Sequence, residues 1–171
     1  AARVRALLQP LGLERRSEAH AVHVALGTEL PVSQGLTSYY PNLHRDWCWG
    51  DAENSASLES VLASLPAGAA PRRLLVLGAG AGRLAYDLHQ AIRPGLTAAL
   101  DFNPLFMIAA AHIVGGTPLE LYEFPIAPRS IDDHAVLRRH AAPAPAAPGF
   151  APVLADATAP PFRAGQFDLV L

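Results

Sequence analysis

Four consecutive large apolar residues, Leu74, Leu75, Val76 and Leu77, run directly into Gly78-Ala79-Gly80-Ala81-Gly82, and this junction limits the fold more than any other part of the chain. An apolar run without polar alternation suits a strand buried on both faces, and such strands belong to parallel sheets covered by helices. Glycine follows because the backbone must turn tightly from strand to helix and come close to whatever lies above the turn, where a Cβ would intrude. Beyond the glycines, Leu84, Leu88, Ala91 and Ile92 keep a helical period until Pro94-Gly95 stops it, and residues 97–100 form a second apolar strand ending at Asp101. Strand, glycine turn, helix and strand make a βαβ unit, so the expected class is α/β with a Rossmann-like sheet.

Outside that unit the pattern is less regular. Residues 1–70 read as a helical N-terminal extension, in which Leu58, Val61, Leu62 and Leu65 line one face of a helix over 57–65 that packs on the domain of residues 71–171. A helix is expected over 104–114, an irregular stretch through Ile126, and a helix near 132–139. Residues 141–152 hold Pro143, Pro145, Pro148, Gly149 and Pro152 among alanines and read as a loop. A third strand is expected over 152–155 and a fourth over 167–171. A doubly wound sheet ordinarily continues beyond this point, so the reading expects a partial sequence, truncated after the fourth strand.

With 51% apolar and 16% charged residues, the 171-residue chain is long and apolar enough to bury a core. Its 13 basic residues against 15 acidic give a net charge of −2, which excludes the basic stripe of a nucleic-acid groove or an anionic-membrane surface. The longest apolar region, 96–114, is broken by Asp101, Asn103 and Pro104 and falls short of a membrane span of roughly 18 residues. The first residues lack the order of a signal peptide, and the absence of an initiator methionine leads us to expect further residues upstream. The lone Cys48 forms no internal disulfide and is read as a small buried hydrophobe in a reducing, cytoplasmic protein. These features favour a small-molecule or protein partner.

The glycine spacing separates cofactors. A dinucleotide fingerprint requires Gly-x-Gly-x-x-Gly, whereas here the third glycine comes one residue early and Arg83 takes its place. Asp101 stands 19 residues after Gly82 at the end of the second strand, where a carboxylate accepts from ribose hydroxyls or, alternatively, caps the helix that follows. Asp156 closes the third strand, positioned to accept from an adenine amino group while the N–H of Ala157 reaches a ring nitrogen. Asp168 is read as orienting the fourth strand.

These segments together resemble class I methyltransferases across residues 74–171, and the resemblance implies S-adenosyl-L-methionine as cofactor. Two passages are similar to the carnosine N-methyltransferase family: Asn42-Leu43-His44-Arg45-Asp46-Trp47-Cys48-Trp49-Gly50, like its Gln-x-x-Arg-Asp-Trp motif, and Gly78-Ala79-Gly80-Ala81-Gly82-Arg83-Leu84-Ala85, like its glycine turn. The family's first strand lacks the acid that many methyltransferases carry two positions before the first glycine, and here that position is Val76. The resemblance implies that Arg45 pairs with the cofactor carboxylate and that Asn42 replaces a glutamine that also holds it. The cofactor set is then Asn42, Arg45, Gly78, Ala79, Gly80, Gly82, Asp101, Phe102, Asp156 and Ala157. Leu121-Tyr122-Glu123-Phe124-Pro125-Ile126 is similar to a Tyr-Pro-Phe segment of the family, while Asp156-Ala157 departs from its Asp-Phe pair.

The implied activity is N-methylation of a small peptide or imidazole-bearing acceptor, with no catalytic base named. Two alternatives stay open: a cofactor-binding or interaction module of the same fold without activity, and a nicotinamide-dependent oxidoreductase. The Arg-Asp-Trp passage also reads as a surface ion pair beside a core tryptophan. Trp47, Trp49, Tyr39 and Tyr40 read as core aromatics or as rings facing a sulfonium. Of the seven histidines, His20 and His23 are the closest pair, but no further ligand stands at a recognisable spacing, so no metal is expected; His44 is unassigned.

Overall fold

A computed structural model describes residues 40–171. Most of the expected helical extension, with His20, His23 and Tyr39, lies outside the described residues. The elements run α1 (Tyr40–His44), a π-helical turn (Arg45–Trp49), α2 (Asp51–Ser64), β1 (Arg73–Leu77), α3 (Arg83–Ile92), β2 (Leu96–Asp101), α4 (Pro104–Val114), β3 (Leu119–Glu123), a 3-10 turn (Ile131–His134), β4 (Val136–His140), β5 (Phe150–Leu154) and β6 (Leu169–Val170).

The fold is α/β. Four strands form a parallel sheet in the order β5-β2-β1-β6, and β3 pairs with β4 in a separate antiparallel ribbon. Because side chains alternate across a strand, β1 divides its apolar residues between two faces. Leu74 and Val76 meet Ala85 and Leu88 of α3, with Leu58, Val61 and Leu62 of α2 outside them, as the predicted apolar face requires. Leu75 joins Ala98 and Leu100 on the other face, covered by Phe162 and Phe167 of the segment that links β5 to β6. Each fully buried leucine here stabilises the fold by about 1.5–3 kcal/mol relative to exposure. Helix α4 fills a third cluster with Trp47, Tyr86 and Leu119 and Leu121 of the ribbon.

Buried polar groups tie these layers together. His89 Nδ1 accepts from the Thr97 hydroxyl at 2.8 Å while its Nε2–H donates to the Ala147 carbonyl at 3.0 Å, joining α3, β2 and the proline-rich loop. Asn103 caps α4 by accepting from Leu105 N–H at 3.0 Å, with Pro104 in the first helical position. Asp168 Oδ2 accepts from the N–H groups of Arg72 and Arg73, both at 2.9 Å, and so fixes β6 beside β1 as expected.

Four sequence expectations need correction. The helix near 132–139 is instead a single 3-10 turn followed by β4, and the irregular stretch through Ile126 contains β3. The two pair in register from Leu119↔His140 to Glu123↔Val136, and the Arg138–Glu123 ion pair at 2.7 Å favours the ribbon over local helix propensity. The loop ends at Gly149 rather than Pro152, because β5 begins at Phe150. Pro152 is tolerated there because β5 is an edge strand. The helix expected over 57–65 starts earlier, at Asp51. Among the described residues no helix is long and apolar enough to cross a membrane.

Candidate functional site

All four strands of the sheet are parallel, so the turns after β1, β2 and β5 open at one edge, the edge where open α/β sheets receive ligands. The turn after β1 is centred on Gly80, whose φ of +57° favours glycine. A Cβ on Gly78 would meet nothing within 4 Å, and one on Gly80 only Asp46 Oδ2 at 3.8 Å. The loop therefore faces open space on one side and a carboxylate on the other. Gly82 is constrained from within: at φ +83°, its Cβ would stand 3.2 Å from Ala110 Cβ.

Three of the loop N–H groups are already committed. Ala79 N–H donates to the Leu100 carbonyl and Gly82 N–H to the Ala79 carbonyl, both at 2.9 Å. Gly80 N–H donates to Asp101 Oδ2 at 2.8 Å, and the Ala81 N–H lies toward the Asp46 carboxylate. Asp101 also accepts from Asn103 N–H at 2.8 Å. Both carboxylates are nearly buried, with 5% of Asp46 and 6% of Asp101 exposed. Burial pushes both pKa values above the ordinary range, opposed by Arg45 at Asp46 and by the N–H groups of Asn103, Gly80 and Phe102 at Asp101. Helix capping, the alternative role for Asp101, is performed by Asn103, which Asp101 holds in place.

The Arg-Asp-Trp segment forms the π-helical turn and is riveted to the glycine loop, a turn type frequent at functional sites. Trp47 Nε1–H donates to the Ala81 carbonyl at 3.0 Å, and Arg83 stacks 5.3 Å from the Trp47 ring while donating to the Asp46 carbonyl at 2.9 Å. Asn54 donates to that same carbonyl at 3.2 Å. Arg45 grips Asp46 Oδ1 through Nε at 3.1 Å and Nη2 at 2.9 Å, with Nη1 3.9 Å from Glu53. The resemblance implied a cofactor carboxylate as the partner of Arg45; within the protein its partner is Asp46. Trp47 is a buried core residue, whereas Trp49 is exposed and donates to Glu123.

The predicted residues thus divide. Arg45, Gly78, Ala79, Gly80, Gly82 and Asp101 come together around one loop. Phe102 follows Asp101 at the end of β2 and is 37% exposed. Asp156 and Ala157 follow β5, which pairs with β2 through Asp101↔Leu154. Asp156 Oδ1 accepts from both the N–H and the hydroxyl of Thr158 at 2.8 Å, and these bonds hold its pKa below the ordinary value. Asn42 is half-buried on α1. A groove of about 390 Å³ lined by Arg73, Arg163, Ala164 and Gln166 lies at the opposite end of β1 and takes no part in this site.

Two features escaped the sequence reading. One is Asp46, whose place over the loop depends on the π-helical turn. The other is a cluster of His44, Cys48 and His140, whose ligand atoms all lie within 4.8 Å of one another. His44 and Cys48 lie four positions apart, a spacing that places side chains on one helical side, but His140 arrives from β4, 96 residues from His44, and local spacing cannot reveal it. Burial pushes the Cys48 thiol up to about 11 and, with the His44 ring, pushes His140 down to about 4. Compared with models of protein families and with curated proteins, the chain finds no match.

Proposed function

We propose that this chain is the S-adenosylmethionine-binding part of a class I methyltransferase that methylates a nitrogen of a small peptide or imidazole-bearing molecule. The observation that carries the cofactor reading is the pair of carboxylates flanking Gly80: Asp101 takes its N–H, and Asp46 faces its other side, with Oδ2 3.8 Å from where a Cβ would stand. A diphosphate requires such N–H groups for itself and is repelled by two anions. An ammonium, a sulfonium and a ribose diol are served by the same two anions, and the open face of Gly78 and Gly80 leaves room for them. The nicotinamide alternative loses support on this ground.

When bound, S-adenosylmethionine supplies an electrophilic methyl group on a positively charged sulfur. In this reading Asp46 receives the α-ammonium, the role of the acid that Val76 does not provide, and Arg45 receives the α-carboxylate. Asp101 accepts from the ribose hydroxyls, while Phe102, Asp156 and the Ala157 N–H serve the adenine. Because charge is lost in an in-line displacement, the protein contributes by alignment and exclusion of water. An imidazole acceptor is largely neutral at pH 7 and already nucleophilic, so no strong base is required.

A second reading, a cofactor-binding or interaction module without activity, draws on the engagement of Arg45 by Asp46, which leaves the guanidinium partly satisfied. Both are tested by incubating the longest form of the protein with methyl-labelled S-adenosylmethionine and a panel of imidazole dipeptides, alcohols and carbon nucleophiles. Label on an imidazole nitrogen is expected. Label only on oxygen or carbon refutes the acceptor class, and turnover on any acceptor eliminates the inactive module.

A further inference from the structure

We infer that His44, Cys48 and His140 form a zinc-type metal site that clamps the Arg-Asp-Trp turn to the β3–β4 ribbon. This assignment stands on the cluster itself and does not depend on the cofactor reading. Two imidazoles and a thiolate are a ligand set that zinc(II) selects, and three protein donors leave the fourth tetrahedral position to water. The donors come from the end of α1, the π-helical turn and the last residue of β4, so an ion would bridge the α1–π-turn segment to the ribbon that Tyr40 and Trp49 already reach by hydrogen bonds.

The proton inventory of the two rings carries the argument. His140 Nδ1 faces the Leu119 carbonyl at 3.3 Å, which only accepts, so Nδ1 holds the proton and His140 Nε2 presents a lone pair. That lone pair faces His44 Nδ1 at 2.9 Å, so the His44 proton must sit on Nδ1. His44 Nε2 is then bare, and it is the single buried side-chain polar atom among the described residues with no hydrogen-bond partner, on a side chain that is 98% buried. A buried polar atom left without a partner destabilises the fold.

A cation between the rings removes the conflict. It takes the lone pairs of His140 Nε2 and His44 Nδ1, and the His44 proton moves to Nε2, where the adjacent Tyr122 carbonyl, already an acceptor for the Tyr40 hydroxyl at 2.9 Å, favours it. Each ring then directs its distal N–H to a backbone carbonyl, the outer arrangement that metal-bound histidines adopt. Cys48 Sγ, now 3.6 Å from the Arg139 carbonyl, gives up its proton to solvent and supplies the thiolate. Glu123, held by Arg138 and Trp49, adds a nearby negative charge.

The test uses the whole chain, stripped with a chelator and then titrated with cobalt(II) as a spectroscopic stand-in for zinc. Because the chain has one cysteine, a thiolate-to-cobalt charge-transfer band reports Cys48 alone. One cobalt per chain with that band is expected, displaced by zinc, and zinc should raise the melting temperature. Cys48→Ser, at a half-exposed position that leaves the fold intact, should lose the band, lower cobalt affinity by about a hundredfold or more, and abolish the zinc-dependent rise. A folded, stripped chain that binds no cobalt, or cobalt that binds without the band and equally well to Cys48→Ser, overturns the assignment.

Discussion

Asp101 is where the structure makes its sharpest energetic statement. In Asp101→Ala the N–H groups of Gly80 and Asn103, each 2.8 Å from the carboxylate, lose their acceptor inside the protein. A buried donor left unmade costs about 1–3 kcal/mol, so the pair costs about 2–6 kcal/mol. Removing a buried charge returns part of that, and we expect a net loss of about 2–4 kcal/mol. Asp101→Asn keeps one acceptor but turns an amide NH2 toward the other N–H, so about half the loss is expected, roughly 1–2 kcal/mol. Urea unfolding of both variants measures this, provided the slope with denaturant is unchanged. An alanine variant within about 0.5 kcal/mol of the parent chain would refute the reasoning, because surface substitutions without a structural role fall in that range.

Other consequences follow from the same contacts. Gly82→Ala should cost about 1–2 kcal/mol for the left-handed backbone at φ +83°, with a further penalty from the 3.2 Å approach to Ala110 Cβ, read as a lowered urea midpoint. Arg45→Ala should weaken S-adenosylhomocysteine binding by about tenfold or more, since a charge-assisted contact is worth about 1.5–3 kcal/mol; an unchanged dissociation constant would leave Arg45 only its contact with Asp46. Carboxyl-carbon NMR titration should find Asp46 and Asp101 above the ordinary value of 3.8 and Asp156 below it. For the first two the sign is definite: their stabilisation is complete below pH 3.8 and is lost as pH rises through the raised native values, so the advantage of the parent chain over Asp101→Asn should shrink across that window.

How much of this was legible in the sequence depends on the range of the interaction. β1, α3, β2 and α4 were readable because buried parallel strands and amphipathic helices carry their own period, and glycine and proline mark their ends. The ribbon was not, since Asp132 to Arg139 has ordinary helix formers and only the cross-strand pairing with Leu119–Glu123 overrides them. Gly80 and Asp101 were brought together as expected, by parallel strands whose ends share one edge. Asp46 was passed over because a π-helical turn rotates it onto the loop, and no residue spacing announces such a turn. The His44, Cys48 and His140 cluster was passed over for a related reason, since two of its members are local and the third is supplied by a strand that itself went unrecognised.

The central claim, that two carboxylates beside Gly80 prepare the loop for a sulfonium cofactor rather than a dinucleotide, is tested most directly by calorimetry. S-adenosylmethionine, S-adenosylhomocysteine and NAD would each be titrated into the longest folded form of the protein. Micromolar binding of the first two with none of NAD is the predicted result, and binding of NAD alone, or of none of the three, would contradict it.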